Sequence, residues 1–458
     1  MTAPPRPAPA LLVSVAGAAI VALDGTVLLV AQPGLQRDLG ASVGQVQWTS
    51  TGYLLAVAAL LVIAGRLGDR YGHTRLLRVG VLGFAAASAG IALAPTVGWV
   101  IALRALQGAF GALLQPATLA LLRLAYPTDR LARAVAVRTS AIGIAAGAGP
   151  LLGGALVAHL GWRAVFVVNV PIGLAIAVLT LAVRTPAPER RATGRLGLAG
   201  PALLALALAA LVHTLVGVPA HGWSAPATLL GLLAVAGLAV AFAGHQRRSA
   251  HPVVPVDVAR SLPVTASMGL LLLVSAGMFG ALFVGTFFLQ DVLRLDPLDC
   301  GVRVLPLTVL MVLGTPVAGA ALRRHGPRAT AIGGTLLVAL GTAGLSRLDA
   351  DATWGFVSVT FAVLGAGFAT VMVTATGTVV GEAPPGYAGV VGGLKQTAMN
   401  VGPTLGIAVA AGLMAPAATT TGPPLLALTA LVVLALLPAA LLPATPSAAR
   451  PAPAPVAR

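Results

Sequence analysis

The segment Gly65-Arg66-Leu67-Gly68-Asp69-Arg70-Tyr71-Gly72 separates two long apolar runs, and its density of charge and glycine predicts a short loop. Arg75 and Arg78 follow it. A degenerate copy of the segment, from Gly319 to Arg328, again stands between two apolar runs. Such a recurrence is typical of membrane proteins that are built from two related halves.

The composition excludes a soluble globular protein. Apolar residues make up 58% of the 458 residues, charged residues only 9%, and the mean hydropathy is +0.96. Because a bilayer core about 30 Å thick needs roughly 20 apolar residues per crossing, and lipid-exposed backbone must be hydrogen-bonded internally, the crossings are expected to be helices. The chain is therefore predicted to be an all-α integral membrane protein with the lipid bilayer as its principal partner.

The apolar runs divide the chain into fourteen predicted transmembrane helices. They lie near residues 10–32, 47–64, 76–96, 98–123, 134–158, 163–183, 197–218, 225–243, 264–289, 301–322, 328–346, 354–380, 388–414 and 423–443. We expect an N-terminal six-helix bundle (1–183), linkers with two inserted helices (184–263), a C-terminal six-helix bundle (264–443) and a disordered Ala/Pro-rich tail (444–458). Two such bundles around a central cavity are typical of transporters.

Basic residues predict the orientation of the chain. Arg clusters occupy alternate connections, at 66–78, 123–138, 184–195, 247–260 and 323–328. By the positive-inside rule these connections are cytoplasmic, and an even number of crossings places both termini on the cytoplasmic side as well. All but one of the 28 basic residues are Arg, which indicates a GC-rich bacterial source and hence the bacterial cytoplasmic membrane.

Several partners and activities are not expected. The net charge of +16 follows the cytoplasmic loops, so no nucleic-acid partner is predicted. The single cysteine, Cys300, fits neither a disulfide nor a metal site, and no cofactor is expected. The only Lys, Lys395, follows Leu394 and thus belongs to no phosphate-binding loop. Gly-x-Ser-x-Gly and His-Glu-x-x-His are also absent, so an ATP-driven pump and a membrane enzyme are both disfavoured.

Asp24 is the one acidic residue well inside a predicted span. A carboxyl group at membrane depth is costly, and it therefore implies a partner or a function. Burial disfavours its charged form and a nearby cation favours it, so Asp24 is a candidate proton carrier. Arg104, deep in another apolar run, is its expected partner. The alternative is a static ion pair that fixes two helices.

Polar side chains at helical spacing predict a substrate cavity. Gln107 and Gln115 share a stripe with Arg104 on helix four, and Gln32 shares a face with Asp24. Thr374 belongs to a threonine stripe on helix twelve, although threonine often bonds its own helix backbone instead. On helix thirteen the candidates are Lys395, Gln396 and Asn400.

Lys395 also bears on the kind of substrate. A cavity lined by Lys395, Arg104 and Asp24 would not favour strongly cationic compounds. The hypothesis is a neutral or weakly acidic aromatic substrate, with Lys395 as its counter-charge. The alternative is a Lys395 side chain that snorkels to the cytoplasmic interface.

A set of motifs resembles a known family. They are the Gly65–Gly72 segment, Leu23-Asp24-Gly25-Thr26 with Pro33, Leu103-Arg104-Ala105-Leu106-Gln107-Gly108, Gly143 through Gly149-Pro150-Leu151-Leu152-Gly153-Gly154, Gly161-Trp162-Arg163 with Asn169-Val170-Pro171, and His251-Pro252-Val253-Val254-Pro255. In this order they are similar to the fourteen-span drug:proton antiporters of the major facilitator superfamily. The resemblance implies the major facilitator fold, with two helices inserted between the bundles.

The resemblance also implies roles for two of the motifs. Gly149, Pro150, Gly153 and Gly154 match the fifth-helix motif that marks exporters exchanging substrate for protons. The Gly65–Gly72 segment matches the loop motif between spans two and three. The Asp69 carboxylate can cap a neighbouring helix N-terminus, and Arg70 can pair with Asp129. Such contacts would latch one conformation, so Gly65, Asp69, Arg70 and Gly72 are expected to act in gating. The alternative is that the charged segment only sets the orientation of the chain in the membrane.

The expected function is therefore a proton-coupled exporter of amphipathic, antibiotic-like small molecules that works by alternating access. Protons and a small amphipathic substrate are its expected partners, the proton gradient its driving force, and a monomer its functional unit. The alternatives are a proton-coupled uptake symporter of a small organic solute and a non-transporting scaffold or receptor.

Overall fold

A computed structural model describes residues 7–183, 199–222, 224–249, 252–254, 256–349, 351–382, 388–414 and 422–444, and over these residues the fold is all-α. The helices are α1 (Pro7–Leu39), α2 (Val43–Tyr71), α3 (His73–Ala92), α4 (Val97–Ala125), α5 (Thr128–Leu160), α6 (Ala164–Val167), α7 (Asn169–Leu179), α8 (Ala199–His221), α9 (Pro226–Arg248), α10 (Val256–Arg260), α11 (Leu262–Phe287), α12 (Pro297–Leu345), α13 (Trp354–Gly381), α14 (Ala388–Leu413), α15 (Gly422–Leu434) and α16 (Leu436–Ala440). The first linker (184–198) and the predicted tail, except for its first residue, lie outside the described residues.

Ten helices of the described chain are long and apolar enough to cross a membrane. α2, α8 and α14 are not among these ten. α12 counts as one of them, yet its 49 residues extend well beyond the roughly 20 that one crossing needs. The structure is that of a multi-pass membrane protein.

The segment from Gly65 to Tyr71 is helical, which differs from the predicted loop. α2 continues through the charged residues, and Gly72 alone separates it from α3. The φ of Gly72 is +92°, a conformation that a side chain disfavours, so this glycine permits a one-residue reversal. Gly326 has a φ of +77° and breaks α12 in the same way. The two copies of the motif therefore share their breaking glycine.

The helices pack in two sets. α1 to α7 form the first set, held chiefly by the packing of α2 on α4, α1 on α5 and α3 on α4. α11 to α16 form the second, held by α12 with α13 and α11 with α14. α8 and α9 pack on each other, and α8 also contacts α2 and α14. The two sets meet where α5 lies on α12, α2 on α14 and α1 on α11.

Two of the fifth-helix motif residues bring α5 close to α1. A Cβ atom on Gly149 would overlap the hydroxyl of Thr26. A Cβ atom on Gly153 would lie 2.9 Å from the carbonyl oxygen of Val27. A methyl group at either position would push the two helices apart, so the glycines fix the close approach of α1 and α5.

The other two motif residues face the second set of helices. A Cβ atom on Gly154 would overlap the carbonyl oxygen of Pro297 in α12. Conversely, a Cβ atom on Gly301 of α12 would lie 2.6 Å from the carbonyl oxygen of Pro150. Pro150 itself lies inside α5, where it removes one backbone hydrogen bond. The motif therefore forms the seam between the two sets.

Candidate functional site

The candidate site centres on a buried ion pair between α1 and α4. The Arg104 Nη1 atom lies 2.6 Å from the Asp24 Oδ2 atom. Asp24 is 4% exposed and Arg104 is 1% exposed, and they are the charged residues that the structure buries in the described part of the chain. The sequence suggested this pairing, and the structure brings the two side chains together.

Two neutral amides complete the shell of the Asp24 carboxylate. The Oδ1 atom accepts a hydrogen bond of 2.8 Å from Asn169 Nδ2 on α7 and one of 3.2 Å from Gln107 Nε2 on α4. Gln107 Nε2 also donates to Ser88 Oγ on α3 at 2.7 Å. Both carboxylate oxygens are thus bonded to protein groups, as a buried charge requires.

Arg104 has several partners besides Asp24. Its Nε atom donates to the carbonyl oxygen of Thr49 on α2 at 2.9 Å, and its Nη1 atom also donates to Gln107 Oε1 at 2.5 Å. Its guanidinium carbon lies 4.1 Å from the ring centroid of Tyr53, which gives a cation–π contact. Each of these partners is neutral, so Arg104 keeps them whether or not Asp24 carries a charge.

This arrangement makes the site a junction of α1, α2, α3, α4 and α7. Removing one partner from a buried ion pair costs about 3–5 kcal/mol, because the other charge is left uncompensated. A proton on Asp24 also removes the charge attraction, but it leaves the hydrogen-bonding groups in place. The site can therefore respond to protonation by loosening one contact while the remainder of the junction persists.

Three predicted cavity residues are fully buried in this structure. Gln32, Gln107 and Thr374 are each 0% exposed. Gln32 Nε2 donates to Ser50 Oγ on α2 at 2.8 Å, and Thr374 Oγ1 donates to the carbonyl oxygen of Thr370 in its own helix at 2.8 Å. A polar stripe that faces the interior can serve helix contacts as well as a cavity, so the cavity role of these three residues stays a prediction.

The other predicted cavity residues differ in their burial. Gln115, Lys395 and Gln396 are half-buried. The Gln115 carbonyl oxygen accepts a 2.9 Å hydrogen bond from Thr118 Oγ1. Asn400 is buried, and its Nδ2 atom has no hydrogen-bond partner. Their role in binding a substrate stays a prediction.

The predicted gating contact falls partly on undescribed side chains. The side chains of Asp69 and Asp129 lie outside the described residues. Arg70 is exposed, with its guanidinium carbon 5.6 Å from the ring centroid of Tyr71. A Cβ atom on Gly65 would meet nothing within 4 Å. The latch between Arg70 and Asp129 therefore stays a prediction.

Sequence reasoning missed several members of the junction. Asn169 could have been predicted, because it is the single amide side chain in an apolar run and belongs to the Asn169-Val170-Pro171 motif. Ser88, Tyr53 and the carbonyl group of Thr49 carried no such signal, since an uncharged hydroxyl or a backbone group does not specify its partner.

A contact between the two sets was also missed. Arg37 Nη1, near the end of α1, lies 2.7 Å from Asp291 Oδ1, just after α11. The neighbouring Gln290 Nε2 donates to the carbonyl oxygen of Val30 at 2.8 Å. These contacts hold α1 against the end of α11, on the side that charge patterning predicts to be outside.

Comparison with known proteins identifies the family. The sequence profile described as the Major Facilitator Superfamily matches residues 15–407 and 307–456. The chain belongs to the major facilitator superfamily. It is 45% identical over 411 residues to the tetracenomycin C resistance and export protein of Streptomyces glaucescens, a match that covers 90% of this chain and 76% of that protein.

Two further relatives agree with this assignment. The multidrug efflux pump LfrA of Mycolicibacterium smegmatis is 35% identical over 395 residues, which covers 85% of this chain and 77% of that protein. The crystal structure of the POT family transporter PepTSo superposes with a TM-score of 0.69 at 16% identity and covers 95% of this chain and 97% of that chain. The second likeness shows the fold alone. This superfamily member is a multi-pass membrane transporter related to drug and antibiotic efflux proteins, and it is not an enzyme.

Proposed function

We propose that this transporter exports amphipathic, antibiotic-like molecules in exchange for protons, with Asp24 as the proton carrier. The observation that carries the proposal is the buried Asp24–Arg104 pair, in which Arg104 has neutral partners besides Asp24. A carboxylate in this setting can accept a proton without leaving Arg104 bare. The names of the relatives, an export protein and an efflux pump, support the outward direction.

The proposed transport cycle uses the junction around Asp24 and Arg104 and the seam between α5 and α12. Protonation of Asp24 from the outside weakens its hold on Arg104, and the two sets of helices then rock about the α5–α12 and α1–α11 contacts. Release of the proton to the inside restores the pair while substrate binds. Proton entry supplies roughly 2.3 kcal/mol per charge for each 100 mV of membrane potential, and no cofactor is needed.

The same proposal includes the architecture of the fourteen-span drug:proton antiporters. Two six-helix bundles correspond to α1–α7 and α11–α16, and α8 and α9 form the inserted pair. The length of α12 and its break at Gly326 support two crossings within that helix. We place the protein in the bacterial cytoplasmic membrane with both termini cytoplasmic, as a monomer that Gly65, Asp69, Arg70, Gly72 and Asp129 gate.

Asp24→Asn tests the proton-carrying role, because asparagine resembles the protonated acid and keeps the amide contacts. Purified protein in proteoliposomes is assayed for pH-driven accumulation of aromatic antibiotics and fluorescent dyes, and for counterflow without a gradient. We expect the variant to lose driven transport and to retain counterflow. The matched control is Asp38→Asn, because Asp38 forms a half-exposed pair with Arg163 and should tolerate the change.

Other outcomes of the transport assay would contradict parts of the proposal. Near-normal driven transport by the Asp24→Asn variant would remove Asp24 from the proton-carrying role. Loss of both driven transport and counterflow would instead favour a static pair that only fixes the helices. Proton-driven accumulation in the opposite direction would replace export by uptake.

A further inference from the structure

The two sets of helices meet at the α5–α12 seam and at a boundary between α2 and α14, and these two places are packed differently. At the seam the backbones approach closely, since a Cβ atom on Gly301 would lie 2.6 Å from the carbonyl oxygen of Pro150. Among the described glycines of α2 and α14, none lies against the opposite helix. Gly402 and Gly406 of α14 approach the carbonyl groups of α11 instead. The α2–α14 boundary therefore lacks the close backbone contact that glycine permits.

α8 covers this boundary. It packs on both α2 and α14, and so it contacts both sets of helices. The ring of His213 on α8 lies 6.4 Å from the ring of Trp48 on α2, measured between centroids. Further along α8, the three helices surround a small apolar cavity, which is lined by Leu55 and Ala58 of α2, Leu208 and Leu211 of α8, and Val401 and Thr404 of α14.

The side chains beneath α8 are buried, and they bring no free polar group to the boundary. Ala58 is 2% exposed, Val401 8% and Thr404 2%. The Thr404 hydroxyl donates to the carbonyl oxygen of Asn400 in its own helix at 3.0 Å. In the described part of the chain, the contacts of α8 with α2 and α14 are apolar or aromatic, with no hydrogen bond among them. Such contacts have no preferred direction, so helices joined by them can shift without leaving a polar group unpaired.

α9 supports α8 from the other side. The two helices pack closely, since a Cβ atom on Gly231 of α9 would overlap the side chain of Thr214 on α8. Leu229, Leu230 and Leu233 of α9 are exposed, and α9 is long and apolar enough to cross a membrane. A surface of this kind is suited to contact with lipid. The pair thus forms two layers, with α8 on the boundary and α9 between α8 and the bilayer.

We propose that α8 is a lateral seal, which closes the α2–α14 boundary to the lipid bilayer while the two sets of helices rock. This rests on the proposed function, from which the rocking is taken. Leu208 and Leu211 fill the space between α2 and α14, and their apolar contacts let α8 remain on both helices as these shift. Acyl chains and amphipathic compounds dissolved in the bilayer are excluded at this boundary. The substrate therefore reaches the interior from the cytoplasm and not between α2 and α14.

Photo-crosslinking to lipid tests the seal in the wild-type protein. The full-length purified chain is reconstituted in vesicles of phosphatidylcholine that carries a diazirine in its acyl chain. After illumination, mass spectrometry identifies the labelled residues. We expect label on the exposed leucines of α9, such as Leu229 and Leu233, and none on Ala58 or Val401. Labelling of Ala58 and Val401 in the same yield as the α9 leucines would overturn the inference, and this measurement needs no variant to fold.

A pair of substitutions then tests the two leucines of the seal. Leu208→Ala/Leu211→Ala removes the side chains that fill the boundary, and we expect the lipid to label Ala58 and Val401 in this variant. Leu208→Ala alone carries the same expectation if the double variant does not fold. The matched control is Leu229→Ala/Leu233→Ala, which removes the same number of atoms from the exposed face of α9 and should leave Ala58 and Val401 unlabelled. A folded Leu208→Ala/Leu211→Ala protein that stays unlabelled at both positions would contradict the seal.

The labelling also separates this inference from the export proposal. It is measured without a gradient or a substrate, so a failure of proton coupling leaves the expected labelling pattern unchanged. Conversely, proton-driven export by a wild-type protein whose Ala58 and Val401 are labelled by lipid would keep the exporter and remove the seal.

Discussion

The two sets of helices use buried polar groups in opposite ways. In α1 to α7 they tie different helices together, as Asp24 does with Arg104 and Asn169. In α11 to α16 buried threonines mainly donate to the carbonyl group four residues earlier in their own helix: Thr286, Thr330, Thr335, Thr342, Thr374, Thr378 and Thr404. The structure buries no charged side chain in the described part of that second set.

This difference indicates that the two sets of helices have different roles. Under the proposed function, a network between helices would make the relative positions of those helices depend on the charge state of one carboxyl group. A threonine that bonds its own helix satisfies its hydroxyl but transmits nothing to a neighbour. We therefore expect proton sensitivity to reside in the first set, and the second set to contribute a wall that the protonation of Asp24 does not reorganise.

The largest expected effect comes from leaving the buried carboxylate without its cation. Arg104→Met removes the charge, the Thr49 contact and the cation–π contact together. We expect a loss of about 3–5 kcal/mol, because Asp24 is then buried and uncompensated. The thermal midpoint of the purified protein in detergent measures it. The double variant Asp24→Leu/Arg104→Met should recover much of this loss; a double variant that is less stable than Arg104→Met would contradict the interpretation.

How far the sequence predicts this junction depends on the rarity of each group. Asp24 and Arg104 could be paired in advance, since charges at membrane depth are few and each needs a partner. Ser88 and Tyr53 could not, because an uncharged hydroxyl can be satisfied by many partners and does not specify one. Gln32 and Gln107 were placed on an interior face, but the helical period does not distinguish a cavity wall from a contact between two helices.

The predicted loop from Gly65 to Tyr71 fails for a related reason. Charge density does not by itself indicate irregular backbone, because charged residues are compatible with a helix that extends beyond the membrane. Only the positive φ of Gly72 breaks the chain there. The all-α fold could be predicted from the sequence, because apolar runs of about 20 residues indicate membrane-spanning helices. Close helix packing at Gly149 and Gly154 could be predicted as well, because small residues allow helix backbones to approach each other.

An intermediate effect is expected where α5 packs closely on α1 within the first set. Gly149→Ala places a methyl group against Thr26, and we expect it to cost about 1–3 kcal/mol by overpacking. Gly143→Ala in the same helix is the matched control, since its Cβ would meet nothing within 4 Å. Thermal midpoints of the two variants provide the comparison. Equal midpoints would show that α1 and α5 can separate without cost, and Gly149 would then not fix their approach.

The smallest effect is expected in the second set, because its buried threonines bond their own helices. Thr374→Val removes a hydroxyl that is 0% exposed and bonds only the carbonyl group of Thr370 within its own helix. The shape is nearly unchanged and the lost bond joins no two helices, so we expect a change below about 1 kcal/mol and unaltered proton-driven transport. Asn169→Leu is the matched variant in the first set: it too removes a buried hydrogen-bonding group, but one that binds Asp24 from another helix. If Thr374→Val instead shifts the pH dependence of transport as far as Asn169→Leu does, proton sensitivity is shared by both sets and the division between them fails.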